Sequence, residues 1–191
     1  MRLEMCENEF GLFLDALRFA AEKHSEQRRK GKQHNPYINH PIQVAHILWE
    51  IGQVRDVTTL TAALLHDTVE DTDATPEEIE ERFGEDIRSL VMEVTDDKQL
   101  EKSERKARQV QSAPYKSPRA RQIKLADKIN NVTEIAFDPP PNWSLQRRRE
   151  YLDWTEQVVA GLRGYNPALE ARYDEVLAEA RRMLAAEEDR I

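Results

Sequence analysis

One cysteine, Cys6, stands among 191 residues, which excludes an internal disulfide and a cysteine-rich zinc site. Glycine is scarce, with six residues, and alternating strand patterns with turn dipeptides are nearly absent. A sandwich or barrel is therefore excluded as the main architecture. No apolar run approaches the roughly 20 residues of a membrane span, and the opening MRLEMCENEF lacks the apolar stretch of a secretory signal. A cytoplasmic protein with no membrane partner is the expectation. Positive charge is also in short supply: 36 Asp and Glu outnumber 28 Lys and Arg, for a formal charge of −8. That balance argues against bulk attraction to a nucleic-acid polymer or an anionic membrane. A small anionic ligand needs only a local basic pocket and stays open.

Helix punctuation is abundant. Thr75-Pro76, Ser117-Pro118 and Asn166-Pro167 each set a capping side chain before a proline suited to the first helical position. His40-Pro41 has the same form with a weaker cap, and Thr75 with Glu78 completes a capping box. Gly31, Gly52, Gly84 and Gly164 read as closures of the segments before them. The pattern predicts helices near 10–30, 41–51, 57–72, 76–83, 85–95, 101–112, 118–137, 145–163 and 167–187, with a weak extended piece at Thr95–Lys98. Three successive prolines make DPPPNW a loop. The expected fold is one all-α domain over residues 1–191.

The segment LLHDTVEDTD is the chemical anomaly. Asp56 can cap a helix over 57–72 whose Val57, Leu60, Ala63 and Leu64 form a buried stripe. On that helix His66, Asp67, Glu70 and Asp71 are three or four residues apart, so they share one side of its last turns. Carboxylates crowded at a helix C-terminus oppose the macrodipole and call for a compensating cation. His40, in YINHP, and Asp127, in KLADKINN after an apolar turn, could complete a ligand set with His66 and Asp67. Two imidazoles and two carboxylates suit manganese, iron or zinc better than calcium or magnesium. Ordinary readings compete at each position. His40 could be a helix-start residue, Asp127 an ion-pair partner of Lys124 or Lys128, and the acids a solvated helix end. His24 and His46 read as packing residues and His34 as loop.

Lys and Arg concentrate at 28–32, 102–108, 116–128 and 147–149. Lys124, Asp127 and Asn131 share one helical face; Arg147, Tyr151 and Trp154 share another. The competing readings are a helix-end dipole contact for RRK (Arg28–Lys30), a solvated face for Arg148 and Arg149, and core packing for Tyr151 and Trp154. Either Glu70 or Asp71 could orient or deprotonate a water beside a bound metal.

His40, then His66-Asp67, then Asp127 reproduces the H…HD…D signature of the HD phosphohydrolase superfamily. The text around it, YINHP, AALLHDTVEDT, RFG, EVTDDK and KLADKINN, resembles the hydrolase domain of the RelA/SpoT family. It is most similar to the stand-alone small alarmone hydrolase branch, from about Phe13 to about Leu169. The resemblance implies a single HD-domain helical bundle of about nine or ten helices. It implies an enzyme that removes the 3′-pyrophosphate of guanosine tetra- and pentaphosphate, giving GDP or GTP. The cofactor it implies is one divalent ion, Mn²⁺, with other transition metals as substitutes, and the partner is a small-molecule nucleotide. Carried over position by position, the metal ligands are His40, His66, Asp67 and Asp127, and the catalytic dyad is Glu70 and Asp71. The substrate contacts carried over are Arg29, Lys30, Asn131, Arg147 and Tyr151. Asn130 departs from the bulkier residue common in relatives, and GKQHNP lengthens the loop before YINHP. No synthetase, TGS or ACT region follows, so a degradation-only enzyme is expected. Removal of the NADPH 2′-phosphate is a second enzymatic reading, and a non-catalytic alarmone or metal sensor is a third from another class.

Overall fold

The computed structural model describes residues 2–189, with side chains from 8 to 189, so Cys6 lies outside the described side chains. Among the described residues, ten α-helices follow in chain order: α1 (Arg2–Lys23), α2 (Asn39–Glu50), α3 (Val57–Leu65), α4 (Thr68–Asp71), α5 (Pro76–Phe83), α6 (Glu85–Val94), α7 (Lys102–Ser112), α8 (Pro118–Phe137), α9 (Leu145–Ala160) and α10 (Pro167–Glu188). A 3₁₀ turn at Ala113–Tyr115 leads into α8. Among the described residues the β content is one isolated bridge between Arg28 and Pro36, and Thr95–Lys98, extended at Thr95, forms no strand.

The caps act as their residue types dictate. Asp56, Thr75, Ser117 and Asn166 each accept a hydrogen bond from the backbone N–H three residues on, satisfying a donor that the helix leaves open. Ser144 does the same for α9. Gly84 ends α5 at φ +87°, a region that L side chains resist.

α3 is the centre of the domain, packed against α1, α2, α6 and α8. Every side chain from Thr59 to Leu65 is buried, and each fully buried leucine contributes on the order of 2 kcal/mol. α8 is the second core helix, enclosed by α2, α6, α9 and α10. It buries Ile123, Leu125, Ala126 and Ile129, yet also Lys124, Asp127 and Lys128. Charged groups at such depth need partners, and the cavity described below supplies them.

Two expected helices are corrected. The first ends at Lys23 rather than near residue 30, and 24–38 is a loop. RRK is therefore not at a helix C-terminus, and the dipole reading of those cations falls. Gly31 closes no helix; it lets the loop lie against Asp138, where an added Cβ would collide with that side chain and backbone. The second correction is in the 57–72 segment, which breaks at His66-Asp67 into α3 and the single turn α4. His66 Nδ1 and Thr68 Oγ1 bond the carbonyls of Ala63 and Leu65, competing with the regular ladder at the end of α3. The acids at 70 and 71 therefore sit on a turn of their own, not on the last turns of a continuous helix.

Candidate active site

Three elements bring the predicted ligands together: His40 from the first turn of α2, His66-Asp67 from the break after α3, and Asp127 from the middle of α8. One ligand atom each from His40, His66 and Asp67 lie within 4.8 Å of one another. Asp67 Oδ2 is 3.2 Å from His66 Nε2 and 3.5 Å from His40 Nε2. Asp127 Oδ1 stands 3.2 Å from His40 Nε2 and 4.0 Å from His66 Nε2.

Both imidazoles are oriented from behind. His66 Nδ1 donates to the Ala63 carbonyl at 2.7 Å, and His40 Nδ1 meets Asn130 Oδ1 at 2.6 Å. With Nδ1 occupied as a donor, each Nε2 keeps its lone pair toward the carboxylates. His66 Nε2 is buried and makes no hydrogen bond, an expensive arrangement for a polar atom unless something else binds it. A divalent cation fits this donor set, with His40, His66, Asp67 and Asp127 to hold it. Electrostatics without a cation agree. Burial works against charge on His66, but Asp67 and Asp127 overcome it and push the ring up to about 9. Burial likewise opposes ionisation of Asp67, but His66 and His40 hold its carboxyl well below the usual range. The cluster thus attracts positive charge, which a proton on His66 supplies when no metal does.

Glu70 and Asp71, the two acids expected to act on water, have different surroundings. Asp71 is tied at three atoms. Its Oδ1 pairs with Lys98, its Oδ2 accepts from the Tyr37 hydroxyl at 3.0 Å, and its carbonyl accepts from Gln27 Nε2. Glu70 accepts one bond, from the Asp96 backbone N–H at 3.1 Å. Burial, with Asp96 and Asp67 beside it, pushes Glu70 up to about 7. A carboxyl with that value exchanges protons near neutrality.

A cavity of about 520 Å³ opens from this floor, and Arg29, Lys30, Asn131, Arg147 and Tyr151 all line it. Arg29 does not project freely. It forks onto Glu134, with Nε–Oε distances of 2.9 and 3.1 Å, and donates to Asn131 Oδ1 at 2.7 Å. Asn131 in turn donates to Asp127 Oδ1 at 2.6 Å, so the basic loop is linked through one amide to a ligand carboxylate. Tyr151 is the middle ring of an aromatic row, 5.5 Å from Trp143 and 5.4 Å from Trp154. All three rings line the cavity on one side and pack against the hydrophobic core on the other, so the core reading of Tyr151 and Trp154 holds for one side of each ring. Arg148 is corrected: it is buried and bonds Glu187 through two nitrogens. His46 is exposed rather than packed, whereas His24 is buried as expected and stacks on Tyr37 at 4.8 Å.

Tyr37 is a residue at the site that the sequence reading did not single out. It donates to Asp67 Oδ2 at 2.7 Å as well as facing Asp71; its position three before His40 was the available signal. Asn130, where the sequence departs from the family it resembles, meets His40 Nδ1 and orients that ring. Lys102, Arg105, Lys106 and Gln109 of α7 line the cavity, and their spacing of three, four and seven residues marks one helical face.

A family model described as HD domain matches residues 16–164. The chain is 52% identical to the guanosine-3′,5′-bis(diphosphate) 3′-pyrophosphohydrolase MESH1 of Xenopus tropicalis over 168 residues, covering 88% of this chain and 94% of that protein. It is 52% identical to the human MESH1 over 163 residues, covering 85% of this chain and 91% of that one. A solved structure described as "A metazoan ortholog of SpoT hydrolyzes ppGpp and plays a role in starvation responses" superposes with a TM-score of 0.86 at 48% identity, over 88% of this chain and 94% of the other.

Proposed function

The chain belongs to the HD domain family, and from that premise we propose that it is a guanosine-3′,5′-bis(diphosphate) 3′-pyrophosphohydrolase, like the MESH1 relatives it matches nearly end to end. Water attacks the phosphorus joined to the ribose 3′-oxygen, the P–O bond to that oxygen breaks, and GDP or GTP leaves with pyrophosphate. The observation that carries the reading is the divided floor of the cavity: a compact His and Asp cluster beside an acid with a pKa near neutrality.

His40, His66, Asp67 and Asp127 are the proposed metal ligands, and Mn²⁺ the proposed ion, since mixed imidazole and carboxylate donors favour a transition metal over calcium or magnesium. When bound there, such an ion polarises phosphoryl oxygens and makes nearby water more acidic. Glu70 takes the proton from the attacking water, and its value near 7 lets it release that proton again. Asp71, fixed by Lys98, Tyr37 and Gln27, orients the water rather than carrying its proton. Arg29, Lys30, Asn131, Arg147 and Tyr151 are the proposed substrate contacts, with Arg29 and Asn131 acting as one hydrogen-bonded unit. Lys128, paired with Asp127 at 3.0 Å, adds positive charge beside the ligands.

The proposed unit is the whole chain, 1–191, as one HD domain. A cytoplasmic placement is part of the same proposal; no described helix is long and apolar enough to cross a membrane.

Product analysis with manganese-loaded protein tests this reading. Guanosine tetraphosphate should yield GDP and pyrophosphate. Intact alarmone alongside NADPH stripped of its 2′-phosphate would replace the reading with the NADPH activity. Tight binding of alarmone without any turnover would make the protein a sensor.

A further inference from the structure

Two side chains at the start of the loop after α1, His24 and Gln27, are neither proposed ligands nor proposed substrate contacts, yet they reach the turn that carries Glu70 and Asp71. His24 is buried, and its Nδ1 lies 2.6 Å from Gln27 Oε1. Gln27 Nε2 in turn donates to the Asp71 carbonyl. That donation fixes the sense of the whole chain of bonds. With the amide nitrogen committed to Asp71, Gln27 Oε1 can only accept, so His24 Nδ1 carries the hydrogen. His24 Nε2 is then left with a lone pair, buried and without a hydrogen-bond partner. A second proton there would have no acceptor, and burial holds the ring below its ordinary pKa. His24 is a neutral imidazole with one committed donor.

The Asp71 carbonyl needs an outside donor. α4 is four residues long, too short for its own ladder to stabilise it, and its last carbonyls have no partner within the turn. Its backbone is held by Asp71 N–H on the Asp67 carbonyl at 2.8 Å and Thr72 N–H on the Thr68 carbonyl at 3.0 Å. From across the fold, Gln27 holds the Asp71 carbonyl and the Tyr37 hydroxyl holds Asp71 Oδ2 at 3.0 Å. These two grips belong to one assembly. Tyr37 N–H donates to the Gln27 carbonyl at 3.1 Å, and the Tyr37 ring stacks on His24 with the planes 25° apart. His24 thus braces both side chains that hold Asp71.

We propose that His24 and Gln27 are positioning residues for the Glu70–Asp71 turn, setting where the two acids stand over the metal floor through the Asp71 carbonyl and the Tyr37 ring. The proposal rests on the reading of those acids as the groups that act on water. His24 aims the Gln27 amide, because this tautomer offers the amide oxygen a donor and nothing else. The amide then carries that aim to a residue 44 positions along the chain.

Steady-state kinetics of the manganese-loaded full chain on guanosine tetraphosphate, paired with amide exchange of the α4 segment read by mass spectrometry, tests the pair. Gln27→Met should lower kcat about ten- to hundredfold, with KM within about twofold and manganese content unchanged. The α4 amides should exchange about five- to tenfold faster in that variant. His24→Asn presents an amide N–H near the place of Nδ1 and should keep kcat within about threefold of wild type. His24→Phe keeps a ring beside Tyr37 without a donor, and its kcat should fall to within about threefold of that of Gln27→Met. The two losses should not add in the Gln27→Met/His24→Phe double variant, since both break one chain of bonds. Equal losses in His24→Asn and His24→Phe would make His24 a packing residue and overturn the proposal, as would a loss confined to KM or to bound manganese. If both His24 variants fail to fold, Gln27→Met decides alone, and unchanged kcat or unchanged α4 exchange overturns the pair. The exchange also separates this proposal from the reaction. If the wild type cleaves no alarmone while α4 exchange quickens in Gln27→Met, the reaction is wrong and the brace stands. If wild type and variants cleave it equally with α4 exchange unchanged, the brace is wrong and the reaction stands.

Discussion

The cavity has two ends built on opposite plans. At the floor, His40, His66 and Asp127 are buried, Asp67 is half-buried, the four are close to one another, and both imidazoles have an orienting partner. At the rim, the cations of α7 are partly or fully exposed, and Lys106, like Arg147 of α9, leans on an aromatic ring face. Under the proposed reaction the floor gains from rigidity, because a metal site and a proton-transfer group must be held within a fraction of an ångström. The rim keeps its charge available, because a ring face positions a cation without neutralising it. Chemistry and recognition are thereby separated within one cavity, and each end should respond to mutation in its own way.

The largest break should come from the floor. His66→Ala removes a buried ligand and leaves Asp67 without its nearest imidazole; metal content after gel filtration should fall to background. Its metal affinity should drop by more than the roughly 100-fold seen for loss of an outer partner. Glu70→Gln should lower turnover on the order of 10²- to 10⁴-fold with metal still bound. The same change should have the opposite sign for stability. Because the folded-state value is raised to about 7 from the usual 4.5, the native protein keeps this proton longer than the unfolded chain. The resulting penalty is absent below about pH 4.5, grows up to about 7 and is complete above it. Urea unfolding of chelated protein should therefore show the Gln variant gaining on the wild type at pH 8 but not at pH 4. In the enzyme, a proton acceptor at Glu70 predicts a rate that rises with pH through its ionisation and then levels.

Smaller effects sharpen the contrast. Asn130→Ala removes the partner of His40 Nδ1 while leaving every ligand in place, and should cost about 10- to 100-fold in metal affinity, read by competition with a chelating dye. Lys98→Met touches the exposed end of the network, where its ammonium pairs with Asp71. A half-exposed pair of this kind is screened by water and salt, so turnover should change by a factor of about two to five, and less at high ionic strength. An effect of Lys98→Met as large as that of Glu70→Gln would erase the distinction between the two acids.

The helical punctuation and the ligand motif were legible because both are local. A Ser or Asn before a proline caps a helix wherever that helix packs, and a His-Asp pair at the end of a leucine stripe announces buried charge. The break at His66-Asp67 was not legible, since it depends on side chains bonding the Ala63 and Leu65 carbonyls, which a continuous helical pattern does not forbid. RRK was placed on the wrong element because the loop that carries it is held by distant groups, Glu134 and Asp138 of the segment ending α8. His46 was misread because alanine and leucine neighbours in sequence do not determine which helical face meets the core.

By itself, then, the sequence determined an all-α chain, its main capping points and the residue types able to hold a metal, since propensity, capping and ligand chemistry act over a few residues. Tertiary structure alone decided that Tyr37 and Gln27 would reach across to Asp71, that Asn130 would turn His40, and that α7 would face the cavity. Those outcomes depend on burial and on distances between helices far apart in the chain. The same packing separated Glu70 from Asp71, neighbours in sequence with one acid fixed by three partners and the other free to exchange its proton.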